Sequence, residues 1–155
     1  MAIKRKYSIY EASDILYQVS ELTLTNIRRD YGTGEKFTSV EVHTLAYIVD
    51  NPGISVTQLA HDLRKTKGAV SQMVKKLVEK GLLRRLDSST NDRTTLLFPT
   101  EAGLELHNAH KQFDTAAAFG RSYKALCEVF TPEEVNNAWH ILETWLRIRR
   151  QMGWH

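Results

Sequence analysis

The stretch "KTKGAVSQMVKK", residues 65–76, decides how the rest of the chain is interpreted, because it combines an apolar helical stripe with a lysine-rich polar face. On a helix, Lys67, Ser71 and Lys75 lie four residues apart on one face. Apolar residues occupy the other face at the spacing of a core-packing helix. They are Val70, Met73, Val74, Leu77 and Val78. The pattern predicts a helix that packs on one side and presents polar groups on the other.

Positive charge is concentrated around this segment. The formal net charge of the chain is +3. Residues 61–95 contain nine Lys or Arg against four Asp or Glu, a net charge of +5, whereas the rest of the chain contains 12 against 14, a net charge of −2. A local positive field on a nearly neutral body is typical of proteins that bind polyanions. A solvated amphipathic helix shows the same stripe, so the neighbouring elements decide between the two interpretations.

Composition and length limit the class of protein. The 155 residues, 42% hydrophobic and 25% charged, are typical of a globular chain and predict a single domain, residues 1–155. The one cysteine, Cys127, excludes an intrachain disulfide framework. The basic N-terminus lacks the apolar stretch of a signal peptide, and no apolar run is long enough to span a bilayer. We therefore expect a cytoplasmic protein that has no contact with a membrane.

Helix-start signals recur along the first half of the chain. Residues 8–11 and 38–41 each form a capping box, Ser or Thr followed three residues later by Glu. The first opens a long helix bounded by Gly32 and Gly34, and the second opens a helix stopped by the Asn-Pro-Gly at 51–53. Two short helices follow, capped by Ser55 and Thr66, and the second of them ends at Gly81.

The pattern changes after Gly81. Residues 82–86 and 94–98 are short runs of extended type around seven polar, turn-forming residues, which predicts a β-hairpin. Thr100 caps a fifth, long helix, and Thr131 caps a sixth with Pro132 in its first turn. Two short helices joined by a tight turn and followed by a hairpin form a winged helix-turn-helix. The predicted fold is therefore mainly α with a small β-hairpin wing.

A winged helix-turn-helix places its second short helix in the major groove of DNA, and a basic hairpin tip reaches the neighbouring minor groove. Gln72 has the geometry to pair with an adenine edge, and Lys67 and Lys75 suit bases or phosphates. Gly68 lets the backbone approach the duplex, and Arg93 at the hairpin tip is the expected minor-groove probe. The predicted DNA-binding residues are Lys65, Thr66, Lys67, Gly68, Ser71, Gln72, Lys75 and Arg93.

Residues 55–103, "SVTQLAHDLRKTKGAVSQMVKKLVEKGLLRRLDSSTNDRTTLLFPTEAG", resemble the core of the multiple-antibiotic-resistance regulator (MarR) family of transcription factors. The matching motifs are "QLAHDL", "AVSQMVKKLVEKGLLRR" and the closing "TEAG". The family's wing usually carries Asp-x-Arg with the arginine in the minor groove. Here Arg93 matches, while Asn91 replaces the aspartate. The resemblance implies a regulator, with repression as the expected mode. The sequence contains no phosphate loop, nucleophile motif or complete metal cluster, so we expect no enzymatic activity.

The resemblance also implies an obligate homodimer that binds an inverted-repeat operator in double-stranded DNA. Dimerisation helices at 8–32 and 101–150 would flank a DNA-binding lobe at 38–100. The composition of the sixth predicted helix also indicates a dimer, because this helix carries more apolar surface than a terminal helix of a lone small domain needs. Its apolar residues are Val135, Ala138, Trp139, Leu142, Trp145, Leu146 and Ile148. The alternative is that Trp139, Leu142, Trp145 and Leu146 cover the core of the monomer.

Family members commonly respond to small phenolic or aromatic ligands bound between the dimer helices and the DNA-binding lobe. Residues that either line such a pocket or pack the core are Tyr17, Ile27, Tyr31, Val40 and Tyr47. Other members use a reactive cysteine. Cys127 lies in an apolar stretch without a neighbouring cation, which favours a buried structural role over redox sensing.

Three residues have side chains suited to zinc: His43 in the second helix, and His110 and Asp114 one turn apart in the fifth. Zinc-responsive members of the family draw histidines from both helices. Scattered surface histidines are the alternative interpretation, and no cofactor is certain. Two other functions stay open, a zinc-responsive regulator of the same fold and a non-regulatory DNA-organising protein.

Overall fold

The computed structural model describes residues 6–23, 27–87 and 94–152. The chain divides into two compact units, Met1–His110 and Lys111–His155, which are described separately. The fold is mainly helical with a small β-hairpin wing, as the sequence predicted. Within the described ranges, no helix is both long and apolar enough to cross a membrane.

Side-chain caps start the helices of the first unit where the sequence predicted them. Thr38 and Glu41 form a capping box, in which the Glu41 N–H donates to Thr38 Oγ1 at 3.2 Å and the Thr38 N–H donates to Glu41 Oε2 at 2.7 Å. Ser55 and Thr66 each accept a bond from a backbone N–H three residues on. The helices are α1 (Ile9–Thr23), α2 (Ser39–Asp50), α3 (Val56–Asp62), α4 (Lys67–Glu79) and α5 (Glu101–Phe113).

The two strands of the predicted wing belong to a three-stranded antiparallel sheet. Strands β4 (Leu83–Asp87) and β5 (Thr95–Pro99) pair in register, with Arg85 opposite Leu97. A two-residue strand, β3 (Ile54–Ser55), adds to the other side of β5, which gives the order β3-β5-β4. The tip of the hairpin, residues 88–93, lies outside the described residues.

Residues 27–37 form a hairpin instead of the last turns of a long first helix, which corrects the sequence-based expectation. Strands β1 (Arg29–Asp30) and β2 (Lys36–Phe37) pair antiparallel. Asp30 Oδ1 closes the turn by accepting bonds from the N–H groups of Gly32, Thr33 and Gly34 at 2.8, 2.9 and 3.1 Å. The φ angles of Gly32 and Gly34, 91° and 78°, are those of a turn that needs glycine. These glycines therefore build a turn and do not end a helix.

The apolar stripe of α4 packs into the core of the first unit, as predicted. Val70, Val74 and Leu77 are buried, and Met73 and Val78 pack against them at the edge. The same buried cluster contains residues of β2, α2, α3, β4, β5 and α5, and they include Phe37, Leu45, Ile48, Leu59, Leu83, Leu97 and Leu106. This one-sided packing leaves the polar face of α4 directed outward.

Gly103 in α5 allows a close approach between that helix and the segment entering β4. A Cβ atom at Gly103 would overlap the carbonyl oxygen of Leu82. The same carbonyl accepts the N–H of Thr100 at 3.0 Å. Thr100 in turn caps α5, since its Oγ1 accepts the N–H of Gly103 at 3.1 Å. The "TEAG" sequence thus fixes the junction between the wing and α5.

The second unit contains a π-helical segment and two helices. After α5, residues Asp114–Ala118 form a π-helical turn, where the N–H of Phe119 donates to the carbonyl of Asp114, five residues back. A Cβ atom at Gly120 would overlap the carbonyl oxygen of Thr115. Helices α6 (Phe119–Val129) and α7 (Pro132–Gln151) follow, and the predicted capping box of Thr131 and Glu134 starts α7.

Helix α7 has two apolar stripes. Val135, Trp139 and Leu142 are buried or half-buried, and the Trp139 ring lies 5.3 Å from the Phe119 ring of α6, centroid to centroid. Ile141, Trp145 and Ile148, at i, i+4 and i+7, are exposed on the single chain. The second stripe is therefore not used by the packing of the unit itself.

Candidate nucleic-acid interface

The polar face of α4 is the candidate interface. Lys67, Gly68, Gln72 and Lys75 are exposed, and Ser71 between them is half-buried. They stand on the side of α4 opposite Val70, Val74 and Leu77, because the two sets follow different stripes of the same helix. The structure therefore brings the predicted α4 residues onto one outward face, which we call the α4 polar face: Lys67, Gly68, Ser71, Gln72 and Lys75.

The N-terminus of α4 adds backbone donors to this face. Thr66 Oγ1 accepts the N–H of Ala69 at 3.2 Å, which fixes the start of the helix. The N–H groups of the first turn have no partner within an α-helix and carry the positive end of its dipole. With Lys65 and Thr66 exposed directly before them, the start of α4 combines donors and positive charge, the combination that binds phosphate.

The turn that joins α3 to α4 is held by backbone bonds. The N–H of Lys65 donates to the carbonyl of Ala60 at 3.0 Å, and the N–H of Arg64 donates to that of His61 at 3.1 Å. Arg64 has a φ of 52°, in the left-handed region that non-glycine residues seldom adopt. The tight turn fixes the crossing of the two helices, and Arg64 adds another exposed cation next to Lys65.

Asp62 ties α3 to α2. Its Oδ1 accepts from Gln58 Nε2 at 2.7 Å and lies 3.0 Å from His61 Nδ1, while its Oδ2 accepts from the Tyr47 hydroxyl at 3.1 Å. The hydrogen bond with His61 is the main cause that lowers the pKa of Asp62 below its usual value; burial opposes it, and the bonds from Gln58 and Tyr47 lower the pKa further. Sequence reasoning missed this network, because Tyr47 and Asp62 are 15 residues apart and share no motif.

The wing contributes further cations. Arg84 and Arg85 in β4 are exposed, and the guanidinium of Arg84 lies 5.7 Å from the centroid of the Phe98 ring across the hairpin. Arg93, the predicted minor-groove probe, lies outside the described residues, as do Asn91 and Asp92. Its role stays a prediction.

Two of the predicted zinc ligands meet in the first unit. The ring of His43 in α2 lies edge-on to that of His110 in α5, 4.9 Å between centroids, and Tyr31 contacts His110 in the same way at 5.1 Å. His110 is 6% exposed and His43 is exposed. Asp114 begins the π-helical turn in the second unit, four residues after His110 along the chain. Two imidazoles at this separation suit a shared metal ion, and the part of Asp114 stays a prediction.

The residues predicted to line an effector pocket have different environments. Tyr17 and Ile27 are exposed, and Val40 is partly so. Tyr31 and Tyr47 pack against the core, and the Tyr47 hydroxyl is engaged with Asp62. Cys127 in α6 is a half-buried free thiol. The effector pocket stays a prediction.

The fold and the α4 polar face define a winged helix-turn-helix protein of the DNA-binding class. Residues 37–95 match the MarR family model. The chain is 31% identical over 106 residues to the uncharacterized HTH-type transcriptional regulator YhjH of Bacillus subtilis, a match that spans 68% of this chain and 59% of that protein. These sequence matches show that the chain belongs to the MarR family of helix-turn-helix transcriptional regulators, and the chain spans less than two thirds of the length of YhjH.

Solved structures share the fold at low sequence identity. FabT of Streptococcus pneumoniae, crystallised in complex with DNA, is 22% identical with a TM-score of 0.67, over 91% of this chain and 94% of that one. ZitR of Lactococcus lactis, a zinc-responsive MarR family member, is 20% identical with a TM-score of 0.61, over 89% of this chain and 96% of that one.

Proposed function

We propose that this protein is a homodimeric transcriptional repressor that binds an inverted-repeat operator in double-stranded DNA and is controlled by a small ligand. In that role it acts in the cytoplasm. The observation that carries the proposal is the α4 polar face, whose lysines, amide and hydroxyl point outward from a helix anchored in the core. The fold it shares with FabT, a protein crystallised with DNA, supports the same role.

The two kinds of contact expected from α4 have different chemistry. Gln72 offers the paired donor and acceptor that match an adenine edge, whereas Lys67 and Lys75 offer charge to phosphates or guanines. Half-sites one helical turn apart follow if the two recognition helices of a dimer meet successive major grooves, roughly 34 Å apart.

Selection from a pool of random double-stranded DNA tests this proposal. We expect the protein to enrich one short inverted repeat and to bind it at least about 1000-fold more tightly than a scrambled duplex. A DNA-organising protein would instead coat all duplexes evenly, and an enriched pool without two-fold symmetry would contradict binding as a symmetric dimer.

Zinc is a second candidate for the controlling ligand, favoured by the contact between His43 and His110. The zinc-responsive ZitR shares the fold. A metal held by these two histidines would tie α2 to α5 within the first unit, and Asp114 would be a third ligand. Bound zinc would bias one conformation of the lobe, and DNA affinity would change with it by linkage.

Calorimetry with zinc on chelator-stripped protein tests the second candidate. We expect a dissociation constant below about 1 µM at neutral pH. Affinity should fall as the solution is acidified, since zinc binds neutral imidazole. A variant with His43→Ala and His110→Ala serves as the control, and unchanged binding in that variant would exclude the site.

A further inference from the structure

Two ion pairs, Lys80 with Glu35 and Arg28 with Glu41, connect the region of the β1–β2 hairpin to α2 and to the end of α4. None of these four residues belongs to the α4 polar face. The ammonium of Lys80, the residue after α4, pairs with the carboxylate of Glu35 in the hairpin. It also lies 4.5 Å from the centroid of the Phe37 ring. Beside them, a guanidinium nitrogen of Arg28 lies 3.8 Å from Glu41 Oε2 in α2. Cations and carboxylates thus alternate over three segments of the chain.

Lys80 differs from the lysines of the α4 polar face. Its side chain is 18% exposed, whereas that of Lys75 is 72% exposed. Lysine is seldom buried unless its charge is paired, because removing the ammonium from water is unfavourable. Here Glu35 supplies the pairing charge, and the face of the buried Phe37 ring supplies a cation–π contact. The environment of Lys80 is built to hold its ammonium inside the lobe and away from a DNA partner.

Lys80 directly follows the last residue of α4, so its contacts with Glu35 and Phe37 act on the C-terminal end of that helix. Its N–H donates to the carbonyl of Lys76 at 3.0 Å, and Gly81, with a φ of 70°, turns the chain away directly afterwards. The rest of α4 is held by its N-terminal cap and by close apolar packing on one face, and this packing limits rotation about the helix axis to what the side chains of the core accommodate. An ion pair and a ring contact at the end of the helix have defined directions, so they restrict that rotation.

We propose that Lys80 is a positioning residue for DNA reading: its contacts with Glu35 and Phe37 fix the orientation of α4 without touching the DNA. The inference rests on the proposed DNA-reading role of α4. Bonds to base edges tolerate only a few tenths of an ångström and a narrow range of angles. Flexible lysine contacts to phosphates adapt to a rotated helix. Loss of the Lys80 contacts therefore weakens binding to the operator more than binding to random DNA.

The test compares variants on two duplexes, the inverted repeat that wild-type protein selects from a random pool and a scrambled duplex of the same length. Lys80→Met keeps an apolar stem over Phe37 and removes the charge. Glu35→Gln removes the partner, and at 52% side-chain exposure this substitution does not disturb the core. Glu79→Gln is the matched control, because it neutralises the exposed partner of Lys75, 3.7 Å away, in the last turn of α4.

We expect Lys80→Met and Glu35→Gln to lower the ratio of the two affinities about fivefold. Glu79→Gln and the conservative Lys80→Arg should keep the wild-type ratio. The slope of log affinity against log salt should also stay unchanged in Lys80→Met, because loss of a real phosphate contact would reduce it by about 0.9.

Three results would overturn the inference. The first is a ratio of operator to scrambled-duplex affinity in Lys80→Met and Glu35→Gln that equals the wild-type ratio. The second is a reduced salt slope in Lys80→Met, and the third is a decrease of the affinity ratio in Glu79→Gln as large as that in Lys80→Met. A lower urea midpoint with an unchanged ratio would show that Lys80 serves stability alone. The proposed function fails separately, and earlier, if wild-type protein enriches no sequence from the pool.

Discussion

At the scale of single residues, two glycines in the lobe differ in what a Cβ atom would meet. Gly103→Ala should destabilise the protein by about 1–3 kcal/mol, because the new methyl group overlaps the backbone carbonyl of Leu82. Gly68→Ala, in the first turn of α4, meets nothing within 4 Å and should stabilise the fold by about 0.5–1 kcal/mol. Urea unfolding measures both, and a shift of the two midpoints in the same direction would contradict this account of the packing.

The lowered pKa of Glu41 predicts how the stability of the fold depends on pH. Burial alone would raise the pKa of Glu41, but the Thr38 hydrogen bonds and the charges of Arg28 and Lys80 lower it below its ordinary value of 4.5. The stabilisation is therefore present above pH 4.5 and is lost as the pH falls through the lowered pKa. Glu41→Gln keeps a capping-box residue without the charge. We expect wild type to be more stable than this variant at pH 7 and the difference to shrink below pH about 4.

Urea titrations of both proteins between pH 3 and 7 would measure that difference. A gap that is constant across this range would show that the Glu41 charge contributes nothing. Sequence alone predicted the capping role of Glu41, because Thr38 and Glu41 are three residues apart. It did not reveal the ion pair with Arg28 or the proximity of Lys80, since neither distance follows from a local spacing.

At the scale of elements, α4 allows its two kinds of DNA contact to be separated. Gln72→Ala should lose about 1–3 kcal/mol of preference at one base-pair position and leave the salt slope unchanged. Lys75→Ala should weaken binding to all sequences alike and, if it contacts a phosphate, reduce the salt slope by about 0.9. Binding of each variant to the operator and to single-position substitutions of it would measure both effects. Identical profiles for the two variants would refute the assignment.

Element length explains which parts of the fold were predictable. Helix α4 carries a cap, a stripe and a glycine stop over 13 residues, so its period is evident. Strands β1, β2 and β3 contain two residues each, too few to show alternation. The sequence pattern therefore predicts the end of a helix at Gly32 and Gly34, although Asp30 and the two glycines are typical of a turn.

At the scale of the whole molecule, the exposed stripe of α7 predicts a dimer. Ile141 is 68% exposed on the single chain, so Ile141→Glu leaves the packing of the unit intact but places a charge on the proposed interface. We expect its dimer dissociation constant to rise more than about tenfold, with a parallel loss of operator binding. Sedimentation at several micromolar concentrations measures the first effect, and mobility shift measures the second.

Asn136→Glu is the matched control, since it adds the same charge to an exposed position of α7 outside the stripe. If Ile141→Glu and Asn136→Glu both sediment as dimers, the stripe is not a dimer interface. Wild-type protein that sediments as a monomer at micromolar concentration would also contradict this interface. The sequence showed that α7 is rich in apolar residues. Only the structure separates the stripe that packs within the unit from the stripe left exposed, because that division depends on where α6 lies against α7.

The π-helical turn at Asp114–Ala118 has a consequence for comparing genes of this family. Such a turn holds one residue more than the α-helical path it replaces, so the helical faces on either side keep their register when that residue is deleted. Gly120 marks the place in the sequence, because any side chain there would collide with the carbonyl of Thr115. Homologues with a larger residue at this position should therefore align with a one-codon gap between 114 and 118. Deleting Ala117 should give a protein with an uninterrupted helix and an unchanged contact between Phe119 of α6 and Trp139 of α7.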